Sequence, residues 1–184
     1  MDVSTHLLKD DGLVPNNSRL PLVLYPQVVE AFGGAGGAAG GDAAGSAASG
    51  DAARVFEHIF ADNGWKPAWR DGIFPYHHYH STQHEVLGIY AGWARVQFGG
   101  EQGPVEELRA GDAVVIPAGV GHKRLEGSRD LGVVGAYPPG ADWDMNYARA
   151  EERADALRNI EAVLPPAADP VYGPDGPLRE LWHL

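Results

Sequence analysis

Residues 72–92 read GIFPYHHYHSTQHEVLGIYAG, and residues 111–122 read GDAVVIPAGVGH. The first stretch runs from Gly72 across five residues to His78, across one to His80, across four to Glu85 and across six to Gly92. The second runs from Gly111 across five residues to Pro117, across one to Gly119 and across two to His122. Alternate side chains of an extended strand share a face. His78 and His80 can therefore both point inward, with His77 and Tyr79 pointing away. Glu85 follows the polar turn from Ser81 to Gln83 on an antiparallel return, and His122 comes from a later strand. Three imidazoles and one carboxylate brought together in this way read as a mononuclear metal site.

The surrounding chain is punctuated at short intervals. Between Trp69 and Tyr137, turn signals recur at Gly92, Gly99-Gly100, Gly103-Pro104, Ala110 to Asp112, Pro117 to Gly121 and Gly127-Ser128. Short β runs separated in this way predict an antiparallel sandwich or barrel. The two patterns resemble, position by position, the two motifs of the cupin superfamily. The matching positions are Gly72, His78, His80, Glu85 and Gly92 in the first motif and Gly111, Pro117, Gly119 and His122 in the second. Glu126 stands where the family often has Asn. The runs from Phe74 to Gly100 and from Gly111 to Leu125, with the ending DPVYGPDGPLRELW, are similar to the YjlB-like single-domain bacterial cupins; this likeness covers most of residues 12–32 and 53–184. It implies a mainly β fold, a double-stranded β-helix (small antiparallel jelly-roll barrel) with peripheral helices, and His78, His80, Glu85 and His122 as metal ligands.

Composition bounds the rest. At 184 residues the chain is long enough for one well-buried core with appendages. The expected division is an N-terminal arm over 1–32 with an edge strand at Leu20 to Tyr25, and a Gly/Ala-rich flexible linker over 33–50. A barrel over 51–140 follows, preceded by a helix over 51–63 capped by Asp51, and then a C-terminal helix and docked tail over 141–184. The second helix is expected to begin near Asp144 or Asn146 and to bury Ala150, Ala154, Leu157 and Ile160. With no cysteine, any ion is held by nitrogen and oxygen, which leaves one divalent Fe, Mn, Ni, Zn, Co or Cu. A net charge of −11 disfavours nucleic acid. No apolar run approaches the ~20 residues of a membrane helix, and the N-terminus lacks a signal-peptide pattern, so a cytoplasmic protein is expected. The apolar arm suggests a homodimer through strand addition.

One carboxylate among three neutral imidazoles leaves a divalent ion with a net positive charge, which favours a small anionic, chelating ligand. Strand parity adds Tyr76 to the face of His78, and Arg124 and Glu126 to the face of His122. Tyr76 and Arg124 are candidate substrate-binding residues, Arg124 through a forked pair with a carboxylate, and Glu126 is a candidate proton-transfer group. The alternative is that Arg124 and Glu126 pair with each other at the rim. His77 and His84 read as bystanders or supporting donors, and the five tryptophans as packing. The leading function is a metal-dependent oxidoreductase, dioxygenase-like, on a chelating organic anion. Non-redox isomerase, lyase or decarboxylase chemistry, and a non-catalytic metal- or metabolite-binding module, are the alternatives.

Overall fold

The structure is a computed structural model describing residues 3–32 and 44–184. Among the described residues nine strands form two antiparallel sheets: β1 (Ser4–Leu8), β2 (Asn17–Tyr25), β3 (Lys66–Asp71), β4 (Glu85–Ala91), β5 (Trp93–Phe98), β6 (Val105–Arg109), β7 (Ala113–Ile116), β8 (His122–Gly127) and β9 (Gly132–Tyr137). Six are ordered β1-β2-β7-β4-β9-β3 and three are ordered β6-β5-β8. The helices are α1 (Val28–Ala31), α2 (Ala44–Asp62), α3 (Arg153–Ala162) and α4 (Leu178–Leu181). Among the described residues no helix is long and apolar enough to cross a membrane.

The inner strands of the larger sheet, β4, β7, β9 and the end of β2, are covered on both faces and are nearly continuous apolar runs, whereas the edge strands β1 and β3 are largely exposed. Leu22, Leu24, Leu87, Ile89, Val114, Ile116 and Val133 face the smaller sheet and meet Ala94, Val96 and Phe98. The alternate residues Val23, Tyr25, Val86, Val115 and Val134 face the other way, onto Phe56 and Phe60 of α2 and Trp182 of the tail. This period of two fixes which side each residue serves. Gly88 makes the helix contact possible, because a Cβ there would lie 2.6 Å from the Phe56 ring. In the tail, buried Asp169 accepts hydrogen bonds from Tyr25 Oη at 2.8 Å and the Leu178 amide at 3.0 Å, and Trp182 Nε1 donates to the Pro21 carbonyl at 2.9 Å.

Four expectations change. Leu20 to Tyr25 is no edge or free arm: β2 lies between β1 and β7, so the edges of the large sheet are β1 and β3 and the ground for dimerisation through this segment is lost. The sequence hid β1 because its burial hardly alternates. Of the expected linker, residues 33–43 lie outside the described residues, whereas 44–50 belong to α2, which starts at Ala44 and carries Asp51 inside it. Alanine, the best helix former, extends a helix whose later turns are held by packing. The C-terminal helix starts later than expected, after a 3-10 turn at Ala150–Glu152. That tighter turn shifts its phase, so α3 buries Ala156 and Ile160 while Leu157 is exposed. Asp144 and Asn146 precede this turn, and Asp144 serves the site instead.

Candidate metal centre

His78 and His80 lie on an irregular extended segment stitched on both sides. The His78 amide donates to the His122 carbonyl at 3.2 Å, and the His122 amide returns a bond to the His78 carbonyl at 3.0 Å. Tyr79 pairs in the same reciprocal way with Asn146, at 3.0 Å each. Tyr79 is thereby turned from the barrel, and its neighbours are turned in. Asp144 locks the turn that follows: its carboxylate accepts from the Ser81 amide at 2.6 Å and the Thr82 amide at 3.1 Å, and its carbonyl accepts from His80 Nδ1. Glu85 opens β4 on the barrel-facing parity of Leu87 and Ile89, and His122 opens β8 opposite Phe98.

The four side chains are brought together, all buried. His80 Nε2 lies 3.5 Å from Glu85 Oε1, His122 Nε2 lies 3.6 Å from Glu85 Oε2, and the rings of His78 and His122 are 4.1 Å apart. Among the described residues no group of three or more such side chains stands, as placed, in a metal-holding geometry. The separations nevertheless exceed by only a few tenths of an ångström the ~3.0–3.4 Å between donors that share one ion at ~2.1 Å.

Hydrogen bonding decides which atoms are available. His78 Nδ1 meets the Tyr76 carbonyl at 3.3 Å, His122 Nδ1 meets the Val120 carbonyl at 3.4 Å, and His80 Nδ1 meets the Asp144 carbonyl. A carbonyl only accepts, so each Nδ1 carries a hydrogen and each Nε2 faces the common space, where it presents a lone pair whenever the ring is neutral. Glu85 Oε1 accepts from Tyr137 Oη at 2.7 Å, whereas Glu85 Oε2 is buried without a partner. A buried carboxylate oxygen left bare is costly unless something charged meets it. The donor set thus fits a divalent transition ion.

The electrostatics separate His80 from the other two rings. Burial lowers His78 and takes His122 well below the usual imidazole range, where the neighbouring His78 adds to the effect, so both rings are neutral. Burial also opposes charge on His80, but the Glu85 carboxylate outweighs it and raises that ring. Burial disfavours ionised Glu85; the His80 ring and then the Tyr137 hydroxyl overcome this and hold the carboxyl below its ordinary range. Burial, and then Glu85, raise the Tyr137 hydroxyl, so it remains a donor.

The site opens into a cavity of about 240 Å³, smaller than the ~300–1,000 Å³ usual for drug-sized ligands. Trp69, Tyr137 and Trp143 line it, and none is signalled by the two sequence patterns. Trp69 lies flat on Gly135, where a Cβ would sit 2.1 Å from the indole, and its Nε1 donates to Tyr137 Oη at 3.0 Å. Trp143 stacks on Tyr137 with centroids 5.8 Å apart and is 44% exposed at the mouth. Trp69 and Trp143 are therefore pocket walls rather than packing alone; Trp65 and Trp182 are core.

The other candidates are distributed differently. Tyr76 is exposed and stacks outside the pocket on Phe74, because residues 74–77 do not form a regular strand and parity does not carry through them. Arg124 keeps the barrel-facing side of β8, opposite Val96, but does not line the cavity. Leu125 is an extra residue in the pairing with β5, so Glu126 falls opposite Arg95, is exposed and pairs with it at 3.3 Å. A bulge of this kind reverses parity, which removes both the proton-transfer placement and the expected Arg124–Glu126 pair. His84 packs on the outer side of the sheet against Trp182 at 4.7 Å, and its Nδ1 accepts from the Ala118 amide at 3.0 Å.

No protein-family model matches the chain. The uncharacterized protein YjlB of Bacillus subtilis is 40% identical over 181 residues, spanning 98% of this chain and 97% of that protein. The chain belongs to the YjlB family. This chain folds as two antiparallel sheets around a buried polar cluster, the arrangement that its resemblance in sequence to the cupins implies. Among solved structures, the YjlB-family chain shows partial likeness to acireductone dioxygenase from Bacillus anthracis with cadmium ion in its active centre, at 18% identity and TM-score 0.44 over 68% of this chain and 83% of that one. Vicilin from Solanum lycopersicum is similar at 22% identity and TM-score 0.36 over 41% and 22% of the respective chains. Neither likeness carries an activity to the YjlB-family chain.

Proposed function

We propose that this YjlB-family chain is a metal-dependent small-molecule enzyme, a dioxygenase-like oxidoreductase acting on a chelating organic anion, with one divalent transition metal on His78, His80, Glu85 and His122. The observation that carries it is the orientation of the donors: three Nδ1 atoms are tied to carbonyls, which frees three Nε2 atoms, and a partnerless Glu85 oxygen shares their pocket. A divalent ion held by these four residues would supply Lewis acidity to a chelating anion and, if redox-active, electrons.

The chain's own residues set the conditions. Tyr137 holds Glu85 ionised and occupies Oε1, leaving Oε2 directed at the pocket. Asp144 fixes the His80 ring through its carbonyl and the preceding turn through its carboxylate. Ile73, Leu87 and Trp69 exclude water from the interior wall. The test is metal analysis of protein purified without chelator or nickel resin, followed by anaerobic Fe(II) loading and oxygen uptake over keto acids, diols and thiols. One equivalent of iron with substrate-dependent uptake is expected. A redox-inert native metal with no uptake moves the assignment to isomerase- or lyase-type chemistry, and absence of stoichiometric metal refutes the ligand set.

A further inference from the structure

The cavity wall beyond the four polar side chains is almost wholly apolar. Trp69, Ile73, Phe74, Leu87, Trp143 and Met145 supply it, and no Lys or Arg lines it. Its remaining charged residue is Asp71, an exposed carboxylate at the rim, in a chain of net charge −11. Phe74 and Trp143 are 42% and 44% exposed at the mouth, so two large aromatic faces there are left for a ligand to cover. Aromatic faces of this size add the most apolar contact per residue.

From this we infer the substrate class: a compact monoanion whose single negative, chelating head enters the polar cluster and whose uncharged apolar body lies between the aromatic walls. The inference rests on the metal-dependent reading of the same site. A second carboxylate or a phosphate on the body would be desolvated against indole and thioether with no cation to meet it, and would pass Asp71 on the way in. The volume of about 240 Å³ sets the size limit. Arg124 is the rival: its guanidinium stands beside Gly72 at the rim, where a Cβ would meet Nη1 at 3.9 Å, and a dianion could use it.

A matched pair of probes separates the two readings. 4-Methyl-2-oxopentanoate and 2-oxoglutarate share the chelating 2-oxo acid head and differ in having an apolar or a carboxylate tail. Zinc-loaded protein is titrated with each, following the fluorescence of Trp69 and Trp143, after zinc stoichiometry has been measured independently. The monoanion is expected to bind at least about tenfold more tightly. Trp143→Ala should weaken it several-fold with zinc content unchanged, and Asp71→Asn should narrow the gap between the probes. Equal or tighter binding of 2-oxoglutarate, weakened by Arg124→Ala, overturns the inference while leaving the metal reading intact. Protein that takes up no zinc and binds neither probe overturns both.

Discussion

His84 and Glu85 are neighbours in sequence, both buried, and on opposite faces of the same sheet. On the outer face, His84 Nδ1 accepts from the Ala118 amide, its Nε2 is buried without a partner, and the ring rests on Trp182 of the tail. On the inner face, Glu85 has one oxygen satisfied by Tyr137 and one left bare, among three imidazoles whose free nitrogens share its space. Polar burial therefore has two meanings here. Outside, the atom left bare is a neutral ring N–H enclosed by packing; inside, it is a carboxylate oxygen that shares its space with three imidazole nitrogens.

Removing an inner donor should produce the largest change. His122→Ala is expected to reduce bound metal from about one equivalent to nearly none, with far-UV circular dichroism unchanged, since apolar packing holds the barrel. An outer-face truncation should do the reverse. Phe56→Ala empties the space over Gly88 and is expected to cost about 3–5 kcal/mol in denaturant unfolding, with metal per folded molecule preserved.

The acid response comes next. Burial lowers the His84 ring to about 4 from 6.5, so the unfolded chain binds a proton there that the native chain refuses. This contribution is fully present above pH 6.5 and is lost as pH falls toward 4, by at most on the order of 3 kcal/mol. Unfolding measured at pH 7.5 and 4.5 should show a smaller loss in His84→Gln than in the parent; an unchanged difference would remove His84 from the account.

Smaller effects test the supports. Tyr137→Phe leaves Glu85 Oε1 and the Trp69 indole N–H without their shared partner, and metal affinity is expected to fall roughly 10–100-fold, read by competition with a chromogenic chelator. Glu126→Gln should change stability by no more than about 0.5 kcal/mol, as an exposed pair allows, and leave metal affinity untouched. A large metal defect in Glu126→Gln would mean that the bulge at Leu125 is misplaced.

The same contrast explains what the sequence disclosed. The clustering of His78, His80, Glu85 and His122 was legible because short-range alternation and turn chemistry place them locally, and the β class was legible from the turn spacing. Glu126 and Tyr76 were misassigned because parity counts residues, and one bulged residue or one irregular stretch resets the count. Tyr137, Trp69 and Asp144 reach the site from 52, 16 and 59 positions away from Glu85, through tertiary contacts that no local pattern encodes. The signal that could have found Tyr137 is modest: it sits two residues beyond Gly135 on an apolar strand, on the barrel-facing parity. The interior position of β2 was missed for a related reason, since the pairing that covers it comes from the weakly alternating β1.

His78, His80 and Glu85 fall within eight consecutive residues, whereas His122 and the Asp144 clamp are far along the chain. Before the long loops close, the nascent or denatured polypeptide already holds a short chelating peptide. On the proposed ligand set an ion would also bind that peptide, and binding to the denatured ensemble would offset part of the gain in unfolding free energy. Added metal will accordingly raise the melting temperature less than its native-state affinity implies, and metal present during refolding competes with the closure of the loops that complete its own cage.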